Sequence, residues 1–272
     1  KIDKHTTGLM KIETIEKTDS RYPKEFLAIG EDAPERIYAM GNLDLLTREH
    51  KVAVIGARKA SRKGWNCAYK LGTKFAKAGT VVVSGLALGC DGAAHEGCLA
   101  AKGETIAIVA TGLDIVHPKE HAGLQKRILD AGGLIISEQP LRTKANPTRL
   151  VARNRLQAAL SEKVVVAECP EQSGTMHTVR FAQAYGKPVS AVNYSVCNEF
   201  NSGNKYILDT IGAAEPLMDQ VILTEAEQAE IDKFLEEFKA RGGMSTEELI
   251  SRLGAIPFEE FMNKLEKRIE TI

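Results

Sequence analysis

The sequence predicts a doubly wound α/β domain on a parallel sheet, followed by a small all-α C-terminal appendage. Three observations carry this reading. Six short apolar, β-branched runs alternate with five helix-length periodic stretches between residues 52 and 192. The runs are apolar nearly throughout, as in strands covered on both faces. Gly79, Gly103, Gly132-Gly133 and Gly186 each stand just past the last periodic residue of a helix, where helices stop. The expected strands are 52–55, 80–83, 105–110, 134–137, 164–167 and 189–192. The expected helices between them are 61–78, 91–102, 119–131, 149–161 and 175–185. In such a sheet, ligands bind outside the carboxyl ends of the strands.

The flanks are read more coarsely. Residues 1–50 form a preface with a short edge strand at 36–40 and a short amphipathic helix at 42–50, and a structural role is expected there. Residues 193–220 form a strand-poor tail with a short helix at 205–210. The composition then shifts. Thr224 with Glu227 and Ser245 with Glu248 are capping boxes. Gly254 is a stop, and Pro257 suits the first turn of a last helix. Three parts follow: a preface (1–50), the α/β domain (51–220) and a small helical unit (221–272).

Composition narrows the function classes. At 43% hydrophobic and 26% charged residues, the chain is not of the disordered class. Formal net charge is zero, yet residues 221–272 hold 7 Lys/Arg against 12 Asp/Glu, leaving 29 against 24 in residues 1–220. The larger part can therefore meet a nucleic acid. Cys67, Cys90, Cys98, Cys169 and Cys197 are odd in number and contain no CxxC pair. Buried reduced thiols are expected, rather than a disulfide framework or a zinc site. No apolar run reaches transmembrane length, and a cytoplasmic protein is expected.

The candidate chemistry lies in glycine turns that follow strands. The stretch 52–64 is a strand ending in Gly56-Ala57-Arg58 before a helix, with Lys59, Arg62 and Lys63 nearby and no acid. A glycine turn at a helix start presents backbone N–H groups and the positive dipole end, which suits a phosphate. Similar turns occur at Ser84–Asp91, Thr111–Asp114 and Ser173-Gly174-Thr175. One such turn is ordinary punctuation, whereas four on one edge form an extended anion site. A GxGxxG fingerprint is absent after the first strand, which disfavours a dinucleotide enzyme.

Residues 141–155 carry Arg142, Lys144, Arg149, Arg153 and Arg155 with no acid, in the loop and first turns after the fourth strand. Five cations on the edge that holds Arg58 match backbone recognition of a nucleic acid. Trp65 and Tyr69 are the nearest aromatic residues in sequence for base stacking. In a regular helix Arg153 and Arg155 project about 200° apart. Arg153, which shares a face with Arg149, is expected to meet the nucleic acid, and Arg155 to turn toward a structural partner. Asp91 is expected to be an N-cap, with His95 one turn on. His117, His121 and Glu120 are interrupted by Pro118 and lack a third ligand, so neither a metal nor another cofactor is expected.

Taken together, several stretches resemble the DNA-processing protein A family (DprA, also called Smf). They are Tyr22-Pro23, APERIYAMGN at 33–42, VAVIGARKAS at 52–61, SGLALGCDGAAHEG at 84–97, TGLDIVHP at 111–118, ARNRLQAALS at 152–161, EQSGTMHT at 171–178 and GNKYILDTIGA at 203–213. They stand in family order and cover about residues 20–215. The resemblance implies an extended Rossmann-type domain that binds single-stranded DNA without catalysis. It also implies homodimerisation and help in loading a RecA-type recombinase during natural transformation.

Carried over by position, the DNA-binding residues it implies are Arg58, then Ser84, Gly85 and Gly89, then Arg153, Asn154 and Arg155, then Ser173, Gly174 and Thr175. Gly56, Lys59 and Arg149 join them from the reading of the turns and the basic loop. Leu150-Val151 stand where the family usually has Phe-Pro, so any base stack that phenylalanine makes is missing here. Fuller members carry an N-terminal helical domain, for which this sequence leaves no room. Many also carry a C-terminal winged helix, and residues 245–271 resemble its helix-turn-helix part. That segment is acidic and ends before a wing, so it is expected to contact protein rather than DNA.

Two other classes are compatible with a glycine-lined edge. One is a nucleotide-binding sensor, which needs no basic loop at 142–155. The other is a hydrolase releasing the base from a nucleoside monophosphate, as in related Rossmann proteins with a Pro-Gly-Gly-x-Gly-Thr turn and a following Glu. Here the turn is Gln172-Ser173-Gly174-Thr175, and its continuation offers no Glu.

Overall fold

The structure, a computed structural model, describes residues 11–215 and position 233. The chain divides into two compact units, Lys1–Asp219 and Gln220–Ile272. The helices expected after residue 220, with their capping boxes and likeness to part of a winged helix, lie outside the described residues.

Nine strands form one sheet among the described residues. They are β1 (Ile12–Glu16), β2 (Arg36–Gly41), β3 (Lys51–Ile55), β4 (Val81–Ser84), β5 (Thr105–Ile108), β6 (Leu134–Ser137), β7 (Lys163–Val166), β8 (Val189–Val192) and β9 (Ala213–Glu215). The helices are α1 (Lys24–Leu27), α2 (Arg62–Lys77), α3 (Cys90–Ala100), α4 (Ala122–Asp130), α5 (Pro147–Leu160), α6 (Thr175–Ala184) and α7 (Ser202–Thr210). Spatial order is β1-β2-β6-β5-β4-β3-β7-β8-β9. The pairs β1–β2 and β2–β6 are antiparallel, and the others are parallel. This is the doubly wound parallel arrangement read from the sequence, extended by an antiparallel pair at one side.

The pleat of β3 shows why its run is apolar throughout. Val52 and Val54 enter one core with Ala68 and Leu71 of α2 and Ala93 and Ala94 of α3. Ala53 and Ile55 enter the opposite core with Ala158 of α5 and Met176 and Val179 of α6. Successive side chains point to opposite faces, so in a strand covered on both sides residues 52–55 all enter a core and are all apolar. The helices start where local chemistry dictates. Ser61 caps α2 by accepting from the Gly64 N–H at 3.0 Å. Asn146 caps α5 by accepting from the Arg149 N–H at 2.8 Å, with Pro147 in the first turn.

Four expectations change. The 36–40 segment is not an edge strand: β2 lies between β1 and β6, and the unanticipated β1 forms the edge. β9 was also unanticipated. Both are short, and only long-range pairing makes them strands. The expected 42–50 helix is a single 3₁₀ segment, Leu43–Thr47, started by Asn42 accepting from the Asp44 N–H. Finally, Asp91 is not an N-cap. Gly89 holds that position at φ 77°, and Asp91 turns into the protein. The thiols of Cys67, Cys90, Cys98 and Cys169 are buried and that of Cys197 is exposed; none is in a disulfide.

Glu215 ties β9 to its neighbours. Its carboxylate, 9% exposed, meets Lys74 of α2 at 3.0 Å and Lys163 of β7 at 3.1 Å, and accepts from the Ser190 hydroxyl at 3.1 Å. Burial raises its pKa, but the two ammonium groups outweigh this and the net shift is downward. A depressed carboxylate contributes stability that is present above its unfolded pKa and is lost as pH falls through the folded value. The melting temperature of the wild type should therefore fall in acid, below pH ~4.5. A Glu215→Gln variant should melt lower at pH 7 and show a shallower acid decline. Parallel acid declines in thermal melts of the two proteins would exclude this role.

Candidate nucleic-acid interface

The chain runs from β3 through α2 to its neighbour β4 on one side, whereas its other neighbour, β7, is reached from β6 through α5, so the winding reverses at β3 and a crevice opens outside the carboxyl ends of β3 and β7. A cleft of about 480 Å³ lies there. Gly56, Ala57, Arg58 and Lys59 come from the turn after β3, and Ala87 and Asp91 from the start of α3. Helix α5 supplies Pro147, Leu150, Val151, Arg153, Asn154 and Gln157. The β7–α6 turn and α6 supply Pro170, Ser173, Gly174, Thr175 and Thr178. The cleft thus gathers Gly56, Arg58, Lys59, Arg153, Asn154, Ser173, Gly174 and Thr175 from three separate stretches of sequence.

Arg58 and Lys59 are exposed on the rim, and neither has an ion pair among the described residues. Asn154 donates to the Gly174 carbonyl at 3.2 Å, linking α5 to the late turn. Gly174 stands at the N-cap of α6 and is exposed, with no side-chain hydrogen bond capping the helix. Together, the free cations and the open N-terminal turn leave this rim electropositive.

The start of α2 behaves differently from the expectation. The chain's own Glu168 occupies the position expected for a phosphate. Its Oε2 accepts from the Ser61 N–H and its Oε1 from the Ser61 hydroxyl, each at 2.6 Å. Burial raises the Glu168 pKa against these hydrogen bonds. The first glycine turn therefore offers its exposed side chains, not its helix terminus, to a ligand.

Arg153 is the largest correction. It lines the floor of the cleft but is only 4% exposed. Its Nη1 donates to the Gly85 carbonyl at 2.6 Å and to the Ile108 carbonyl. With the amide oxygen of Gln157 turned inward, Gln157 accepts from Nε at 3.1 Å and Nη1 at 3.0 Å. A guanidinium has only donors, which fixes that orientation. Burial lowers its pKa to about 10, so it stays charged at neutral pH, and the Asp91 carboxylate supports that charge. Burial in turn raises the Asp91 pKa, with Arg153 acting against it. The guanidinium expected to project toward a ligand is committed to the sheet. Gly85 is glycine because a methyl group there would collide with it.

The remaining candidates lie outside the cleft. The Ser84 hydroxyl donates to the Val54 carbonyl at 2.7 Å, joining β4 to β3. A side chain on Gly89 would strike the carbonyls of Ala57 and Arg58, so this glycine supports the Arg58 turn from beneath. The Arg149 guanidinium donates to the Lys144 carbonyl at 3.1 Å. Arg155 forms a two-pronged pair with Glu138, at 2.8 and 2.6 Å, and donates to the Asp32 carbonyl at 2.8 Å. The Thr111–Asp114 turn is likewise occupied elsewhere, since Asp114 accepts from the Arg142 N–H at 2.8 Å.

His95 is buried and neutral, its pKa pushed down to about 3 by desolvation. Its Nδ1 lies 2.7 Å from the Thr105 hydroxyl, which donates to the Val82 carbonyl. Nδ1 therefore carries the proton. His121 Nδ1 donates to the Leu86 carbonyl at 2.9 Å.

Sequence reasoning missed Glu168, Gln157 and Glu138. An acid directly after the 164–167 strand, facing a glycine turn, was a legible signal for Glu168. Nothing local pointed to the other two.

The fold and cleft define a Rossmann-type domain with an electropositive rim at its switch point. Residues 13–226 match the model of the family described as DNA recombination-mediator protein A, and the chain belongs to that family. Protein Smf from Synechocystis is 33% identical, the match covering 74% of this chain and 54% of that protein. DNA processing protein DprA from Streptococcus pneumoniae is 36% identical, covering 77% of this chain and 72% of that one. DNA processing protein A from Helicobacter pylori, whose structure is described as showing a single-stranded DNA binding mode, superposes with a TM-score of 0.67. The two are 30% identical, with 84% of this chain and 98% of that chain covered. The chain spans about half to two thirds of the length of several curated relatives it matches. Among the described residues, no helix is long and apolar enough to cross a membrane.

Proposed function

We propose that the chain binds single-stranded DNA across this cleft without catalysis, in the cytoplasm. In this reading it acts as a homodimer that protects incoming DNA and helps load a RecA-type recombinase in natural transformation. The observation that carries the DNA reading is the rim. Arg58 and Lys59 stand free beside the open N-terminus of α6, above a wall of Pro147, Leu150 and Val151. Phosphates suit the cations and the helix end, and base faces suit the aliphatic wall. The DNA-binding mode named for the Helicobacter pylori relative supports the same reading.

In this reading Arg58, Lys59, Ser173, Gly174 and Thr175 meet the backbone directly. Gly56 and Asn154 line its path, while Ser84, Gly85, Gly89 and Arg153 hold the floor in shape.

Fluorescence anisotropy of a labelled oligo-dT across a salt series tests this. Arg58→Ala should weaken binding and reduce the salt slope by roughly 0.7, as for one lost phosphate contact on a single strand. Its melting temperature should stay within about a degree, since Arg58 is exposed. An unchanged slope and affinity, or displacement of the oligonucleotide by equimolar nucleoside monophosphate, would defeat the reading.

A further inference from the structure

We infer that the bound strand does not end in the cleft. It continues across the β7–α6 turn into a second groove, between α6 and α7, where a phosphate meets Arg180 and His177 and a base stacks on Tyr206. This rests on the single-stranded DNA reading above. The lining of the cleft includes no aromatic side chain, so bases find only aliphatic contact there.

The two openings share a wall. Ser173 and Gly174 line the cleft and also line this groove, which has a volume of about 450 Å³. The floor of the groove is apolar. Met176 and Val179 of α6 are buried in the core, and Ile211, just past α7, packs against the same core. The sides are polar. His177, Arg180 and Gln183 follow one another along α6 at steps of three, so each lies beside the next. Across from them, α7 supplies Tyr206, which is 41% exposed.

Charge places the phosphate on the α6 side. That helix carries no acidic residue. The side chains of His177 and Arg180 have no hydrogen bond or ion pair among the described residues. Asp209 of α7 is paired with Lys205 at 2.8 Å. Glu171 is the acid in the lining, and it stands at the start of α7, where its N–H donates to the Ser202 hydroxyl at 3.0 Å. Arg180 lies on the other side of Gly174, about 9 Å along α6. The Tyr206 hydroxyl has no hydrogen-bond partner and its ring no stacked neighbour among the described residues. Cations for the backbone beside an aromatic face for a base are the combination that holds a single strand. Every base has a π-face, so the contact tolerates any sequence.

The full chain is titrated with labelled oligo-dT strands of about 4 to 16 nucleotides, followed by anisotropy. Strands too short to leave the cleft should bind Arg180→Ala and Tyr206→Ala as they bind wild type. On the longest strands, Tyr206→Ala should weaken binding about tenfold and Tyr206→Phe no more than about twofold. Arg180→Ala should lower the salt slope there by roughly 0.7. A second measurement needs no variant. 5-Iododeoxyuridine is placed at each position of the longest strand in turn and irradiated on the wild-type protein, and the crosslinked peptide should contain Tyr206. A strand that binds but crosslinks to Tyr206 from no position overturns the inference and leaves the DNA reading standing, as does a Tyr206→Ala loss that is the same at every length. If no strand binds the wild type, the DNA reading itself fails and takes the inference with it. The wild-type crosslink decides even if a variant folds poorly.

Discussion

Replacing Arg153 by alanine should lower the melting temperature by roughly 6–20 °C. Leaving a buried carboxylate without the charge that compensates it, and buried carbonyls without a donor, costs about 3–5 kcal/mol. For a domain of this size each kcal/mol is worth about 2–4 °C. The reason is what the guanidinium leaves behind. The Asp91 carboxylate is buried, and the carbonyls of Gly85 and Ile108 lose their shared donor. A double variant, Arg153→Met with Asp91→Leu, should recover much of the loss, because it removes the stranded charge as well as its partner. Thermal melts of the wild type, the single variant and the double variant decide the matter. An Arg153→Ala protein melting within about two degrees of wild type would show that the buried contacts contribute little. Helical spacing alone assigns Arg153 to the nucleic acid, whereas the structure buries it in the floor of the cleft.

Arg155→Ala is expected to cost less, roughly 2 kcal/mol, or about 4–8 °C. The pair with Glu138 is two-pronged but only partly buried, the side chains being 14% and 15% exposed. The same guanidinium reaches the Asp32 carbonyl, so it joins α5 to the end of β6 and to the preface. Tyr185 strengthens this corner by donating to the Asp32 carboxylate at 2.8 Å. A double-mutant cycle of Arg155→Ala with Glu138→Gln should show a coupling of about 1 kcal/mol or more. Affinity for oligo-dT should stay within about twofold of wild type. Additive melting losses, or a large fall in affinity at unchanged stability, would place Arg155 in the DNA path instead.

Read alone, the sequence determined the α/β order, the parallel core and the edge on which the cleft opens. These follow from local chemistry. The apolar run of β3, the Ser61 and Asn146 caps and the glycine stops each act over a few residues, and a one-dimensional pattern records them. The same holds for Arg58 and Lys59, which are exposed and have no ion pair among the described residues. The strands β1 and β9 were not legible, because five and three residues become strands only through partners distant in the chain. The division of labour among the arginines was not legible either. Helical spacing indicates that Arg153 and Arg155 diverge, but not which carbonyls or carboxylates wait in each direction. Those partners, Gly85, Ile108, Gln157 and Glu138, come from three other strand ends and one neighbouring turn of α5. Likewise, a helix start with a glycine turn attracts an anion, but only the fold decides which one. Here the parallel neighbour β7 delivers Glu168 to that point, because a strand paired with β3 must end beside it.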